Sequence, residues 1–263
     1  MTAAAPAPGL GRAARAAGHR LLALGVVGST MDEARSLFAF GDAGPLWITA
    51  TSQTSGRGRH GRQWQSPAGN FAATLLLPAP LPQREQPQLG FLAGVALHEA
   101  VASLAPGLTD LALKWPNDLL LARAKLAGLL VEGLGGGRAL AIGFGVNLAV
   151  APPGLPYAAT ALAAHGHTVT PTMLLAALSH HFADRLSSLA APAGLAAIRR
   201  AWQERALPPG TLLAVSLPSG RQQGRFAGID EHGRLLLNTA AGRLAVDAGD
   251  VFPLDMAAPT PQV

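Results

Sequence analysis

Between positions 53 and 70 the chain reads Gln-Thr-Ser-Gly-Arg-Gly-Arg-His-Gly-Arg-Gln-Trp-Gln-Ser-Pro-Ala-Gly-Asn, four glycines and three arginines with no acidic side chain. Such a stretch has little aliphatic surface to bury, and its glycines are costly to order, so it cannot be core. The runs on either side, 46–51 and 71–77, are apolar and read as strands. Any fold of this chain must hold a cationic, glycine-rich loop between two strands, a setting suited to closing over an anion. Residues 56–61 match the pattern G-x-G-x-x-G. The dinucleotide fold requires a helix directly afterwards, whereas here Pro67, Gly69 and a strand follow. The Rossmann reading is rejected.

The 263 residues are 49% hydrophobic and suffice for one large domain or a large and a small one. No run of 18 or more apolar residues is present, so no helix spans a membrane, and no apolar signal segment is seen. The absence of cysteine excludes disulfides, thiolate metal sites and a cysteine nucleophile, and fits a cytoplasmic protein. Net charge is +5, yet only 13% of residues are charged and no long basic run occurs. The basic balance therefore fits a small anionic ligand as readily as a nucleic acid. Lys114 and Lys125 are the only two lysines; every other permanently cationic side chain is arginine. A position that stays lysine in such a background points to a need for an ammonium group.

In chain order, residues 1–18 read as a flexible tail and 21–27 as a strand. At Gly28-Ser29-Thr30 a helix begins, Thr30 and Glu33 having capping-box spacing. A hydroxyl there either caps the helix or faces a ligand beside the helix amides. Residues 89–104 have helical periodicity. Short strands at 112–114 and 119–121 flank Trp115-Pro116-Asn117-Asp118, and strands at 125–132 and 139–146 form a hairpin. Helices follow at 172–189 and 195–202. Beyond Leu207-Pro208-Pro209-Gly210 come five short alternating runs separated by turns, at 212–217, 225–229, 235–238, 244–246 and 251–254. They predict a small all-β barrel.

Four motifs occur in order: the 53–70 loop; Lys114-Trp115-Pro116-Asn117-Asp118; Lys125-Leu126-Ala127-Gly128 with Glu132; and Gly143-Phe144-Gly145-Val146-Asn147. Together they resemble the biotin protein ligases, over roughly 21 to 254. The resemblance implies an α+β fold, with a mixed-sheet biotin/lipoate ligase-like catalytic domain at 19–206. An SH3-like β-barrel at 207–256 and a flexible tail at 257–263 complete it. It implies that biotin attacks ATP to give biotinyl-5'-AMP, and that the acyl group then passes to one lysine of a biotin carboxyl carrier protein. ATP and biotin are thus substrates, with Mg²⁺ as the metal. Family members often pair through a catalytic-domain sheet, so a homodimer is one option. Repressor relatives carry an N-terminal helix-turn-helix; only 28 residues precede Ser29, so no DNA partner is expected.

Carried over residue by residue, Lys125, Arg59 and Asp118 are the catalytic candidates. Ser29, Thr30, Gln53, Arg57, Gly58, Arg59 and Lys125 are expected on biotin. Arg57, Arg62, Trp64, Lys114, Asn117 and Asn147 are expected on the nucleotide. Two anions must meet when a carboxylate attacks phosphorus, which requires concentrated positive charge. Asp118 orients Lys125, helps to hold the metal, or caps a turn. Trp64 stacks on adenine or packs in the core. Met31 and His60 depart from residues common in the family. Two alternatives remain: a lipoate or octanoate protein ligase, and an arginine-loop nucleic-acid-binding module. Ordering about ten loop residues costs roughly 10–20 kcal/mol, so the loop is expected to close as a lid over ligand.

Overall fold

The computed structural model describes residues 9–217 and 220–254. The larger layer is a seven-stranded sheet in the order β1-β2-β3-β7-β6-β5-β4. Its strands are β1 (Arg20–Val27), β2 (Leu46–Gln53), β3 (Phe71–Pro78), β4 (Leu111–Lys114), β5 (Asp118–Leu121), β6 (Ala124–Leu134) and β7 (Ala139–Val146). The β1–β2 pair is parallel and the others antiparallel, making the sheet mixed as expected. Strand β4 is covered at its outer edge, where Leu113 exchanges backbone hydrogen bonds with Arg205 and Leu207.

Alternation along the strands sends successive side chains to opposite faces. Phe71, Ala73, Leu75 and Leu77 of β3 join the main core with Trp47 and Phe144. Against that face pack α3 (Leu89–Leu104) and α4 (Pro171–Ser187), with α5 (Gly194–Glu204) behind α3. Helix α3 is apolar nearly all round because it lies between the sheet and two helices. Trp47 meets the rings of Phe144 and Phe182 at 5.6 and 6.0 Å, tying the sheet to α4. The opposite face carries Ile48, Leu76 and Ala141, covered by α2 (Thr30–Ala39) through Met31 and Ala34. That helix is short, so part of this face is left to the site.

Three expectations are revised. The stretch read as a tail contains α1 (Arg12–Ala16), because Leu10 and Ala14 are buried against α4. Residues 1–8 and the tail at 257–263 lie outside the described residues, as do two residues of the predicted turn at 218–220. The cap of α2 is Ser29 rather than Thr30: Ser29 Oγ accepts from the Met31 amide at 3.2 Å.

The third revision concerns the C-terminal unit. Strands β8 (Leu212–Leu217), β9 (Gly220–Ile229), β10 (Leu235–Thr239), β11 (Gly242–Val246) and β12 (Asp250–Pro253) form an antiparallel sheet in the order β11-β10-β9-β8-β12. Among the described residues β11 and β12 do not pair, so the expected barrel is not closed. Strand β12 is only four residues long and turns its backbone towards the seven-stranded sheet, where Lys114 Nζ donates to Val251 O at 2.8 Å. The two units share one continuous core, to which Phe226, Ile229 and Leu235 contribute. Trp115 is buried and donates from Nε1 to Gly233 O at 3.0 Å.

A buried histidine makes this packing sensitive to pH. Trp47 Nε1 donates to His19 Nδ1 at 3.1 Å, which requires that nitrogen to be unprotonated. Burial accordingly pushes the imidazole below its ordinary value of 6.5. A depressed folded-state value means that the stabilisation is complete above pH 6.5 and is lost as the pH falls below it. Urea denaturation is expected to show lower stability at about pH 5 than at about pH 7.5, with a smaller difference in His19→Asn. An equal pH dependence in the variant would contradict this role for His19.

Candidate active site

The site lies on the α2 face of the large sheet, where β7 presents glycines. A Cβ on Gly145 would meet the Trp64 indole at 2.3 Å, and one on Gly143 would meet Met31 Sδ at 2.9 Å. A Cβ on Gly128 would stand 3.4 Å from Lys125 Nζ and 3.3 Å from the Trp64 ring. Gly145 is the strict requirement, because a Cβ there would strike the indole, while Gly128 leaves room for the indole and the lysine to lie close to the sheet.

At one end of the cavity the side chains of α2, β2 and β3 form a polar chain. Thr74 Oγ1 donates to Thr30 Oγ1 at 2.8 Å, and Thr30 Oγ1 donates to Gln53 Oε1 at 3.1 Å. The Thr30 amide donates to the same Gln53 oxygen at 2.9 Å, and Gln53 Nε2 donates to Ser66 Oγ at 2.9 Å. Buried hydroxyls fixed in this way offer directed hydrogen bonds to a neutral polar ligand.

The other end is cationic. Asp118 opens β5, directly opposite Lys114 in the β4–β5 register. Its carboxylate is buried, with Lys114 Nζ 2.7 Å from Oδ2 and Lys125 Nζ 2.7 Å from Oδ1. Burial alone would raise this carboxyl, but the two ammonium groups outweigh it and hold it at about 2. One carboxylate thus serves two lysines, leaving the trio with net positive charge. Lys125 also faces two aromatic rings, 5.6 Å from the Trp64 centroid and 5.3 Å from that of Tyr157.

The glycine–arginine loop is a small hairpin over this end. The Trp64 amide donates to Gly56 O at 2.8 Å, and the Gly58 amide to Arg62 O at 2.7 Å. Arg57 reaches Asp32 on α2 at 2.6 Å. Arg59 donates to Gly249 O at 3.3 Å, and Arg62 forms an ion pair with Asp250. Burial pushes the Arg59 guanidinium below its usual value, with Asp250 and Asp118 acting against that shift. Both Arg59 and Arg62 therefore lean on the start of β12, from the other sheet.

Twelve of the expected site residues line this single cavity: Ser29, Thr30, Gln53, Arg57, Gly58, Arg59, Arg62, Trp64, Lys114, Asn117, Asp118 and Lys125. Asn147 does not. It is buried, donates to Thr160 O at 3.1 Å, and borders a smaller neighbouring cavity that also touches Trp64, Lys125 and Tyr157. Sequence reasoning missed Tyr157 and the segment from Asp250 to Pro253, which line the main cavity. Tyr157 is the only tyrosine of the chain, a compositional hint that could have drawn notice. Nothing local marks the β12 segment.

Comparison with known proteins agrees with this geometry. Residues 27–148 match a family model described as the biotin/lipoate A/B protein ligase family, and 215–252 match the biotin protein ligase C-terminal domain. The chain is 40% identical to the biotin–[acetyl-CoA-carboxylase] ligase of Paracoccus denitrificans over 233 residues, 85% of this chain and 96% of that protein. This chain belongs to the biotin protein ligase family. Within the family it is 31% identical to the bifunctional ligase/repressor BirA of Bacillus subtilis, across 89% of this chain and 74% of BirA. Among solved structures, the Aquifex aeolicus biotin protein ligase in complex with biotin and ATP shares the fold, with a TM-score of 0.78 at 24% identity. The match covers 89% of this chain and 99% of that one. The Leishmania major biotin protein ligase with biotinyl-5-AMP follows at 0.62 and 28%, covering 87% and 99%.

Proposed function

We propose that this chain is an ATP-dependent biotin–[biotin carboxyl carrier protein] ligase, with a catalytic unit at 19–206 and a C-terminal unit at 207–256. The observation that carries the reading is one cavity with a neutral hydrogen-bonding end at Thr30 and Gln53 and a cationic end at Lys114, Lys125 and Arg59. Biotin has that polarity: a polar uncharged ring at one end and a carboxylate at the other. Its ureido ring sits against Ser29, Thr30 and Gln53, under Arg57 and Gly58. Its carboxylate points to Lys125 and Arg59.

In the first half-reaction a biotin carboxylate oxygen bonds to the α-phosphorus of ATP, and the bond from that phosphorus to the pyrophosphate oxygen breaks. Negative charge gathers on the phosphoryl oxygens as two anions approach. Lys125, Lys114 and Arg59 are already in place to meet it, which is the economy of a preorganised site. Asn117, Trp64, Arg57 and Arg62 border the nucleotide, with Asn147 beyond the indole. In the second half-reaction the amine of an acceptor lysine attacks the acyl carbon, AMP leaves with the bonding pair, and the amine gives up a proton.

Magnesium fits this protein poorly as a resident ion. Among the described residues no group of three or more His, Asp or Glu is arranged to hold a metal. An ammonium stands 2.7 Å from each oxygen of the Asp118 carboxylate, where a dication would be repelled. A magnesium ion would be carried by the triphosphate as part of the nucleotide substrate, where it would offset phosphate charge. Among the described residues no helix is long and apolar enough to cross a membrane. The acceptor is a carboxylase carrier domain, and the setting cytoplasmic.

The test is biotin-dependent exchange of pyrophosphate into ATP, followed by transfer of labelled biotin to a carrier domain. Activity with lipoate or octanoate in place of biotin, or none with any of them, would sink the reading.

A further inference from the structure

We infer that Tyr157 is a positioning residue for Lys125, forming with Trp64 a two-walled aromatic slot that aims the ammonium at the reacting carboxylate and phosphorus. The inference rests on the proposed ligase reaction and adds a residue to it. Three observations support it.

The first is the position of the ammonium. It lies 2.7 Å from Asp118 Oδ1, a charge-assisted contact to a single carboxylate oxygen. One such contact sets distance but leaves the side chain free to pivot about that oxygen. Direction comes from the ring faces, 5.3 Å away at Tyr157 and 5.6 Å at Trp64, within the range at which a π face attracts a cation.

The second is the way Tyr157 is held. The Lys125 amide donates to Ala158 O at 2.8 Å, and the Thr160 amide donates to Lys125 O at 3.0 Å. These bonds form a parallel bridge between Lys125 and Ala159. Asn147 fixes the same segment through Thr160 O, and the Leu162 amide donates back to Asn147 O at 3.2 Å. The backbone of the lysine therefore carries the tyrosine that flanks its own side chain. A shift of one moves the other.

The third is location. Tyr157 is half-buried and borders both the main cavity and the smaller one beside Asn147. It stands where the two cavities meet, and Lys125 borders both of them as well.

The experiment measures biotin-dependent pyrophosphate exchange in the wild-type chain and in Tyr157→Phe, Tyr157→Leu and Tyr157→Met. Loss of the π face in Leu and Met is expected to lower kcat about tenfold, with KM for biotin and for ATP within about twofold of wild type. Phe keeps the face and is expected to stay within about twofold in kcat. Combined with Trp64→Leu, the Tyr157→Leu loss should be smaller than the product of the two, since both rings act on one cation. Wild-type kcat in the Leu and Met variants would overturn the proposal. So would a Phe variant as impaired as Leu, which would assign the effect to the hydroxyl. A rise confined to KM for ATP would make Tyr157 a nucleotide wall instead. Absence of biotin-dependent exchange in the wild type would refute the underlying ligase reading, separately from these outcomes. Biotin binding, followed by tryptophan fluorescence, distinguishes a folded variant from a collapsed one.

Discussion

Lys125→Ala is expected to slow formation of the biotinyl adenylate by about 10²–10³-fold, the usual cost of removing one preorganised donor from a transition-state charge. The ammonium stands 2.7 Å from Asp118, over Gly128 and facing two rings, while the neighbouring cations are held by other partners. Lys114 is tied to Asp118 Oδ2 and to Val251 O, and Arg59 to Gly249 O. The fold should survive the change, because Asp118 keeps Lys114 as a partner. Biotin binding should survive as well, since Thr30, Gln53 and Ser66 lie at the other end of the cavity. The expected pattern is a collapse of kcat with a much smaller change in biotin affinity. A variant within about tenfold of wild-type exchange would remove Lys125 from the chemistry.

Asp118→Asn should act on stability as well as rate. The carboxylate is buried and is the shared counter-charge of two lysines whose side chains are only 13% and 19% exposed. An amide cannot balance them. With the carboxyl held at about 2 against an ordinary 3.8, linkage puts its contribution near roughly 2 kcal/mol. Leaving charge uncompensated in a buried setting can raise the cost to about 4 kcal/mol. The sign follows from the depressed value. Stabilisation is present above pH 3.8 and is lost as the pH falls towards 2. Denaturant titrations should show a less stable variant at neutral pH and a shallower acid loss than in wild type. Exchange activity should fall too, because Lys125 loses the charge that sets its distance. Equal stability of the two proteins at neutral pH would show that the trio carries no such linkage.

The site divides by how far its parts lie from one another along the chain. The glycine–arginine loop was readable because its composition forbids burial, and its flanking strands because apolar runs of that length have few other homes. Lys125 and Asp118 stood out through the scarcity of lysine and the order of the four motifs. The cap of α2 was placed one residue late, since Ser29 and Thr30 are both good caps. Only the bond from the Met31 amide decides between them. Helix α1 was missed because a five-residue helix has too few positions to show a period. The closed barrel was an over-reading, for regular spacing of short strands predicts pairing but not closure.

Local pattern was enough to set the strands, the cationic loop between two of them, the ammonium-bearing motif and the family they resemble, and the mixed sheet followed from that resemblance. Tertiary structure alone decided that one carboxylate serves both lysines, that Gly249 and β12 of the second sheet hold Arg59, Arg62 and Lys114, and that Tyr157 faces Lys125. The reason is physical. Periodicity and turn chemistry act over a few residues, and they settle which way each side chain faces. Contacts between segments as distant as Arg62 and Asp250 arise only when two sheets dock on a shared core, and no short stretch of either segment carries that information.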